Sequence, residues 1–279
     1  MKQPTIGFLG PYGTFTEEAL LKVIDGEQQT PVPCASIQEV IAAVERGEVD
    51  KGFVPIENSI EGSVNATLDM LTFEANLLIE GEVVTAISNN LISRYDLTKD
   101  KLETIISHPQ ATAQCRSYLT RNFPQAKIVA ANSTAEAAKI VSESDDNSAA
   151  IGTILAAEIY GLKVLDQNIQ DFKDNQTRFV LLGHEASPRT GRDKTSIVCF
   201  IKQDRPGSLL DILQEFAGRG INLTKIQSRP TRKALGEYYF FIDMEGHIED
   251  ETVAAAIESL RGKLREVKLL GSYPRAMGT

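Results

Sequence analysis

The residues of this chain best placed to do chemistry are neutral hydrogen-bonding side chains. Thr177 and Arg178 stand side by side in Asn175-Gln176-Thr177-Arg178-Phe179, at the mouth of an apolar run that ends at Leu182. Glu57-Asn58-Ser59 closes a second apolar run and Ser107 a third, while Thr14 and Gln114 complete the set. Arg178 is the one cation among them. Neutral donors together with helix N-termini suit a carboxylate or phosphate ligand. Such groups are weak at making bonds. They suit a reaction that is nearly spontaneous and needs orientation plus a proton or hydrogen bond for a leaving group.

Other chemistries find little footing. The three histidines, His108, His184 and His247, fall in separate segments and form no set with an acid and a nucleophile. The three cysteines, Cys34, Cys115 and Cys199, are far apart and fit neither a disulfide framework nor a metal site. They read as small buried side chains in a reducing cytosol. Gly7-x-x-Gly10 is too sparse for a dinucleotide fingerprint, and no phosphate-loop or zinc motif occurs. No metal and no organic cofactor is therefore expected. The net charge is −9 with no basic stripe, which argues against nucleic acid. At 42% hydrophobic and 24% charged, the chain reads as a soluble globular protein. Without a signal peptide or long apolar span, it is expected to be cytoplasmic and free of the membrane.

The elements that must position these residues follow from periodicity and capping. Strands are expected at 5–10, up to Cys34, and over 50–56. Helices are expected behind Thr14-x-x-Glu17 and Ser36-x-x-Glu39, which have the form of capping boxes. This βαβαβ series suggests a parallel sheet with covering helices. Residues 77–92 read as β-prone. A second βα series follows, with strands near 105–107, 127–131, 149–152 and 162–165 and a third capping box at Ser133-x-x-Glu136. The last strand is 177–182. Two α/β lobes over a cleft result, the first of about 1–76 with 166–183 and the second of about 77–165. Ligands in open α/β sheets bind beyond the carboxyl ends of strands, where each polar cluster falls. Residues 184–193 read as a linker. Residues 194–273 read βαββαβ, a ferredoxin-like domain, with strands near 222–229 and 237–244.

Each polar residue also has an ordinary structural role. Thr14, Ser36 and Ser133 are helix caps first. Ser107 is evenly poised between a cap and a site. Gln114 reads as an exposed surface residue, Glu57-Asn58-Ser59 as a cap for a helix running to Leu71, and Thr177 as an ordinary strand residue. Arg178 has Asp174 as a candidate ion partner. The residues alone support a two-lobed cytosolic protein with an anionic-ligand cleft and a small regulatory domain.

Gly10-Pro-Tyr-Gly-Thr-Phe-Thr16, Val54-Pro-Ile-Glu-Asn-Ser59, Ser107-His-Pro-Gln110 with Gln114-Cys115, and Asn175-Gln-Thr-Arg-Phe179 stand in the order seen in prephenate dehydratases. The tail resembles an ACT domain. The family's Gly-Ala-Leu-Val and Glu-Ser-Arg-Pro motifs stand here as Gly207-Ser208-Leu209-Leu210 and Gln227-Ser228-Arg229-Pro230. The resemblance covers nearly the whole chain. It implies a catalytic domain like the type II periplasmic binding proteins, converting prephenate to phenylpyruvate, water and carbon dioxide in L-phenylalanine biosynthesis. It implies Thr177 as the essential residue, with Asn58, Ser107 and Gln114 as catalytic partners. Thr14, Glu57, Ser59, Arg178 and Phe179 would contact substrate, with Arg178 on a carboxylate. It implies ACT domains that pair in a homodimer, or a dimer of dimers, and bind L-phenylalanine as a feedback inhibitor. Asn222 would join the two tail motifs in holding the effector. Gln227 in place of Glu removes a negative charge beside Arg229, which bears on inhibitor potency. An arogenate dehydratase and a non-catalytic amino-acid-sensing module remain as alternatives.

Overall fold

The computed structural model describes residues 3–24, 26, 28–203, 205–231 and 238–276. The expected chain entry at Met1 and Lys2, and position 237 at the start of one expected strand, lie outside the described residues.

The first lobe opens with β1 (Thr5–Leu9), α1 (Phe15–Leu21), β2 (Thr30–Cys34), α2 (Ile37–Glu45) and β3 (Lys51–Asn58). A short β4 (Gly62–Ser63) folds back on β3, and α3 (Asn65–Phe73) and β5 (Leu78–Ala86) follow. The chain then crosses to the second lobe: β6 (Asn90–Ser93), β7 (Thr104–Ser107), α4 (Pro109–Gln114), α5 (Arg116–Asn122), β8 (Lys127–Ala130), α6 (Thr134–Glu143), β9 (Ser148–Gly152), α7 (Ile154–Tyr160) and β10 (Lys163–Asp166). It returns as β11 (Gln176–Gly183). The C-terminal domain is β12 (Asp193–Phe200), α8 (Ser208–Ala217), β13 (Leu223–Pro230), β14 (Tyr238–Glu245), α9 (Glu251–Lys263) and β15 (Glu266–Pro274).

The three expected capping boxes all form. The hydroxyls of Thr14, Ser36 and Ser133 accept the amides of Glu17, Glu39 and Glu136. Each glutamate reaches back to the amide of the residue before the cap: Gly13, Ala35 and Asn132. These helix entries are set by local chemistry, which is why the sequence displays them. Glu57-Asn58-Ser59 differs from its expected role. Glu57 and Asn58 finish β3, and the helix starts later, at Asn65 behind Val64.

The first sheet has the order β2-β1-β3-β11-β5 and the second β10-β6-β9-β7-β8. Both are mixed, where a parallel series was expected. β1 runs parallel to β2 and β3, but β11 is antiparallel to both β3 and β5. The strand expected to open the second lobe therefore belongs to the first. β5 pairs with β11 from Leu78 to Ala86, and the crossing falls at residues 87–89. The two lobes are strands and helices over 5–86 with 176–183, and over 90–166.

The C-terminal sheet has the order β13-β14-β12-β15, antiparallel throughout, as a ferredoxin-like domain requires. All eight residues of β12 are buried. An antiparallel sheet with one face in water would alternate, so both faces here must be covered. Ile197, Cys199, Ile242 and Met244 pack under the helices with Ile212, Phe216 and Ile257. Val198, Phe200, Tyr239, Phe241 and Tyr273 share one core with Val54, Ile56, Val180 and Leu182 of the first lobe. The expected linker is pinned to the first lobe as well. The Glu185 amide and the Ser187 hydroxyl donate to the side chain and backbone carbonyl of Glu80, at 3.0 and 2.6 Å.

β15 approaches β5 most closely at Gly271, whose φ of 142° disfavours any side chain. A Cβ there would collide with the Ile79 backbone. Gly271→Ala is expected to lower stability by roughly 1–3 kcal/mol from backbone strain alone, more from the collision. Thermal melting checks this, and an unchanged midpoint would mean that the sheet does not seat here.

Candidate active site

A cavity of about 910 Å³ lies between the lobes. Thr14, Pro55, Asn58, Thr177 and Phe179 line it from the first lobe, and Gln114, Ser133 and Lys139 from the second. The lobes also touch across one edge, where Thr153 donates to the Gly13 carbonyl at 2.8 Å.

A bulge in β3 builds the first-lobe wall. Thr177 lies opposite Asn58, Arg178 opposite Glu57, and Phe179 opposite Pro55, so Ile56 and Glu57 share one partner. The extra residue puts Pro55 and Asn58 on the same face although they are three positions apart. Asn58 is then held firmly. Its Oδ1 accepts the backbone amides of Ile60 and Glu61, each at 3.0 Å. Only the carbonyl half of an amide can do this. Its Nδ2 must face β11, where Thr177 Oγ1 lies at 2.8 Å and Asn175 Oδ1 at 2.9 Å. Thr177 is thus a hydrogen-bond acceptor toward Asn58. Its own proton meets no acceptor among the described residues and is left for a ligand in the cleft.

The helix entries supply the anion-binding character. The caps of α2 and α6 satisfy the third amide of each helix and leave the first two amides as donors. Ala35, Ile37, Ser133 and Thr134 at these entries line the cavity. Lys139, on α6, adds a cation that the sequence reading did not single out. Asn175 was also missed, although it opens the quoted motif. It is 1% exposed and its Nδ2 donates to Gln114 Oε1 at 3.1 Å. Asn89, fully buried at the crossing, lines the same cavity.

Other expected site residues lie elsewhere. Arg178 follows Thr177 in a strand and so faces the opposite way. It is buried between the first lobe and the C-terminal sheet. Nε donates to Glu82 at 2.6 Å, Nη1 to Asp243 at 2.5 Å and Nη2 to Tyr273 at 2.7 Å. Burial opposes the charge, but Tyr273, Asp243 and Glu82 outweigh it and hold the pKa well above the ordinary arginine value. Arg178 is therefore placed as an interdomain ion, not as the cleft cation, and Asp174 is not the partner shown. Glu57 points the same way and pairs with Lys225 at 3.1 Å. Burial lowers the Lys225 pKa, and Glu57 opposes that shift. Ser107 is wholly buried, and its hydroxyl donates to the Ile151 carbonyl at 2.8 Å across the second sheet. Ser59 is exposed and holds the approach to β11, accepting the Gln176 amide at 2.9 Å. Thr14, Asn58, Gln114, Thr177 and Phe179 are the expected residues that the fold brings together. Phe179 stacks on Phe53 at 5.2 Å and serves as wall and core. The cysteines are free and buried, and burial pushes the thiols of Cys115 and Cys199 up to about 12. Among the described residues, no group of acidic, histidine and cysteine side chains could hold a metal ion. No helix among them is long and apolar enough to cross a membrane.

In the C-terminal domain the effector motifs split between two faces. Gln227 and Arg229 face the first lobe. Arg229 forks onto Asp69, with Nε at 2.9 Å and Nη2 at 2.7 Å, and Gln227 accepts from Ser63 at 3.2 Å. Ser228 and Pro230 are exposed, as are Asn222 and, at the start of α8, Leu209 and Leu210. Gly207 takes a φ of 91° to begin that helix, and the amide of Ser208 donates to the Arg205 carbonyl.

A cleft between two mixed sheets, crossed twice by the chain, with a ferredoxin-like domain seated on one lobe, defines a two-lobed α/β protein with an appended small domain. The prephenate dehydratase family model matches residues 6–187 and the ACT domain model residues 195–262. The chain is 46% identical over 270 residues to a prephenate dehydratase of Methanocaldococcus jannaschii, covering 95% of this chain and 96% of that one. It is 43% identical over 276 residues to a bifunctional chorismate mutase/prephenate dehydratase of Aquifex aeolicus, covering 99% of this chain and 75% of that protein. The crystal structure of a prephenate dehydratase from Arthrobacter aurescens in complex with L-Phe superposes with a TM-score of 0.91. That structure is 41% identical, and the match covers 98% of this chain and 90% of that one. The chain belongs to the prephenate dehydratase family, with a periplasmic-binding-protein-like catalytic fold and a C-terminal ACT domain. It is an enzyme, a lyase of phenylalanine biosynthesis.

The placement of Arg178 has a direct consequence. Arg178→Met is expected to cost about 3–5 kcal/mol of stability, because it strands buried carboxylates. The KM for prephenate should stay within about threefold, since one lost charged hydrogen bond to substrate would cost more. Denaturant melts and steady-state kinetics on the same preparation check both. A large KM rise with unchanged stability would put Arg178 back on the substrate.

Proposed function

We propose that this chain converts prephenate to phenylpyruvate, water and carbon dioxide, with Thr177 aiding departure of the ring hydroxyl. The observation that carries this is the Asn58–Thr177 hydrogen bond, which leaves the Thr177 proton free toward the cleft. In the reaction the bond between the ring and its carboxylate breaks. Its electrons enter the ring, the opposite carbon–oxygen bond breaks, and the departing hydroxide gains a proton to become water. The ring becomes aromatic, so the driving force lies in the substrate. The enzyme needs to hold the carboxylate in place and polarise the hydroxyl. Two substrate carboxylates match the free first-turn amides of α2 and α6 and the Lys139 ammonium. Gln114 contributes a neutral donor, Thr14 lines the wall with its own proton held by the Leu9 carbonyl at 3.1 Å, and Phe179 contributes an apolar wall. The tightness of this set around a hydroxyl favours a leaving-group role for Thr177 over a passive contact. Turnover on arogenate, the amino analogue, is the alternative within the same site.

Purified protein mixed with prephenate should release phenylpyruvate, with kcat/KM above that for arogenate. Thr177→Ala should lower kcat by about 10²–10⁴-fold while the fold survives, and Thr177→Ser should retain more activity. Near-normal turnover by Thr177→Ala, followed by phenylpyruvate absorbance, would remove Thr177 from its role. Binding without turnover by the unaltered protein would favour a sensing module.

Feedback by L-phenylalanine belongs to the same reading, as does cytoplasmic location. The exposed residues Gly207, Leu209, Leu210, Asn222 and Ser228, with the half-buried Ser208, would hold the amino acid where two ACT domains meet in a homodimer, or in a dimer of dimers. Gln227 and Arg229, on the other face of β13, would pass the effect to α3 through Ser63 and Asp69. L-phenylalanine should lower turnover. Asp69→Asn, which weakens the fork from Arg229, should raise the half-inhibitory concentration by about tenfold with basal kcat within about threefold. An inhibition curve identical to the unaltered protein would break this link.

A further inference from the structure

Asn175 lies outside both lobes' sheets, in the strap that returns the chain to β11, yet both ends of its side-chain amide are engaged at the cleft. It is 1% exposed and touches catalytic candidates of both lobes. We propose that Asn175 is a positioning residue that fixes which end of the Gln114 amide faces the substrate. The proposal rests on the dehydratase reading of the cleft and adds to it the polarity of its donors.

Three side-chain amides, of Asn58, Asn175 and Gln114, stand in series. The backbone amides of Ile60 and Glu61 can bind only an oxygen, so they fix Asn58 with Oδ1 toward the turn and Nδ2 toward β11. Asn58 Nδ2 has only protons to present to β11 and the strap, shared among Thr177 Oγ1 at 2.8 Å, the Gln176 carbonyl at 3.2 Å and Asn175 at 2.9 Å, so Asn175 must turn its Oδ1 and not its Nδ2 toward it. That choice sends Asn175 Nδ2 toward the second lobe, where it donates to Gln114 Oε1 at 3.1 Å. With Oε1 occupied, Gln114 has Nε2 left for a ligand. The orientation of each amide follows from its neighbour, and the series ends on backbone groups that cannot turn over. Thr177 is fixed by the same root, because Asn58 Nδ2 also serves its Oγ1. The cleft therefore presents two proton donors, the Thr177 hydroxyl and the Gln114 amide, to a substrate whose carboxylate, keto and hydroxyl oxygens can all accept. The series also spans the hinge, since Asn58 belongs to the first lobe and Gln114 to the second. Opening the cleft would stretch the Asn175–Gln114 bond.

The test uses Asn175→Asp, which keeps the shape of the residue. As a carboxylate, Asp at this position still accepts from Asn58 but cannot donate to Gln114, whose amide must turn and show an oxygen to the substrate. Once protonated it can donate again. Burial raises the pKa of such a group above the ordinary carboxylate value, and the Asn58 donor opposes that rise. Two readouts are taken across pH 5 to 8: kcat and KM for prephenate, and calorimetric affinity for phenylpyruvate, each as a ratio to the unaltered protein. Near neutral pH we expect a loss of about tenfold or more in both, the worth of a misdirected buried hydrogen bond. We expect recovery toward the unaltered protein as pH falls. In a Gln114→Ala background, Asn175→Asp should cost less than about twofold and show no recovery.

Additive losses in the double variant would overturn the proposal, because Asn175 would not then act through Gln114. The same holds for acid recovery that persists without Gln114, which would mean simple charge repulsion between the new carboxylate and the anionic ligand. Full activity and affinity of Asn175→Asp at every pH would also overturn it. Phenylpyruvate affinity keeps this test separate from the dehydratase reading, which fails instead if the unaltered protein does not consume prephenate. Asn175→Ser, with a melting midpoint measured beside it, distinguishes a folding defect, since a shorter donor-acceptor preserves the fold but does not reach Gln114.

Discussion

The alternation of side chains along β11 is the constraint on which the rest depends. Thr177 and Phe179 face the cleft, and Arg178, Val180 and Leu182 face the C-terminal sheet. A strand cannot change one face without carrying the other, because successive residues share one backbone. The catalytic hydroxyl proposed here therefore sits next to a buried arginine that belongs to the interdomain contact. Arg178 is matched by Asp243 and Glu82, with Lys194 also on Glu82 and Ser196 also on Asp243. Burying these charges is costly, and the network is tolerable only because every member is paired. Its worth lies in register. Shifting the C-terminal sheet would unpair several buried charges together.

This gives the ACT domain a physical route to the cleft. It is not tethered loosely behind a linker; its sheet shares a hydrophobic core with the first lobe, and its motif residues Gln227 and Arg229 bind β4 and α3. A change at the ACT sheet would act on one side of the sheet whose other side lines the cleft. Only elements with two packed arrangements can transmit such a change. The Gly13–Thr153 bond between the lobes and the Asn175–Gln114 bond between the strap and the second lobe are among the contacts that opening of the cleft would break.

Much of this was legible in the sequence where the cause was local. The capping boxes at Thr14, Ser36 and Ser133 and the order of strands and helices depend on residues close in the chain, and they form as read. The membership of β5 was not legible, because pairing with β11 is decided almost a hundred residues away and both sheets accept an apolar strand. Arg178 was assigned to a carboxylate because it was a cation among neutral donors. The strand period next to Thr177 already held the opposite answer, since adjacent residues point to opposite faces. Glu57 beside Asn58 followed the same rule, although the bulge at Ile56 hid it. Ser107 was equally a victim of its setting: its place at a strand end was right, but its hydroxyl serves a neighbouring strand. Asn175 was in view within a quoted motif, yet its role depends on contacts to residues 58 and 114, which no local pattern announces.

The most direct test of the account is a crystal structure of the protein with phenylpyruvate bound. The account predicts the ligand carboxylate at the first-turn amides of α2 or α6 and the ring between Phe179 and Gln114. It predicts the Thr177 hydroxyl facing the ring carbon that carries the leaving group in the substrate, with Arg178 still bound to Asp243 and Glu82. A structure in which Arg178 leaves those partners to hold the ligand, or in which the ligand avoids Thr177, would contradict it.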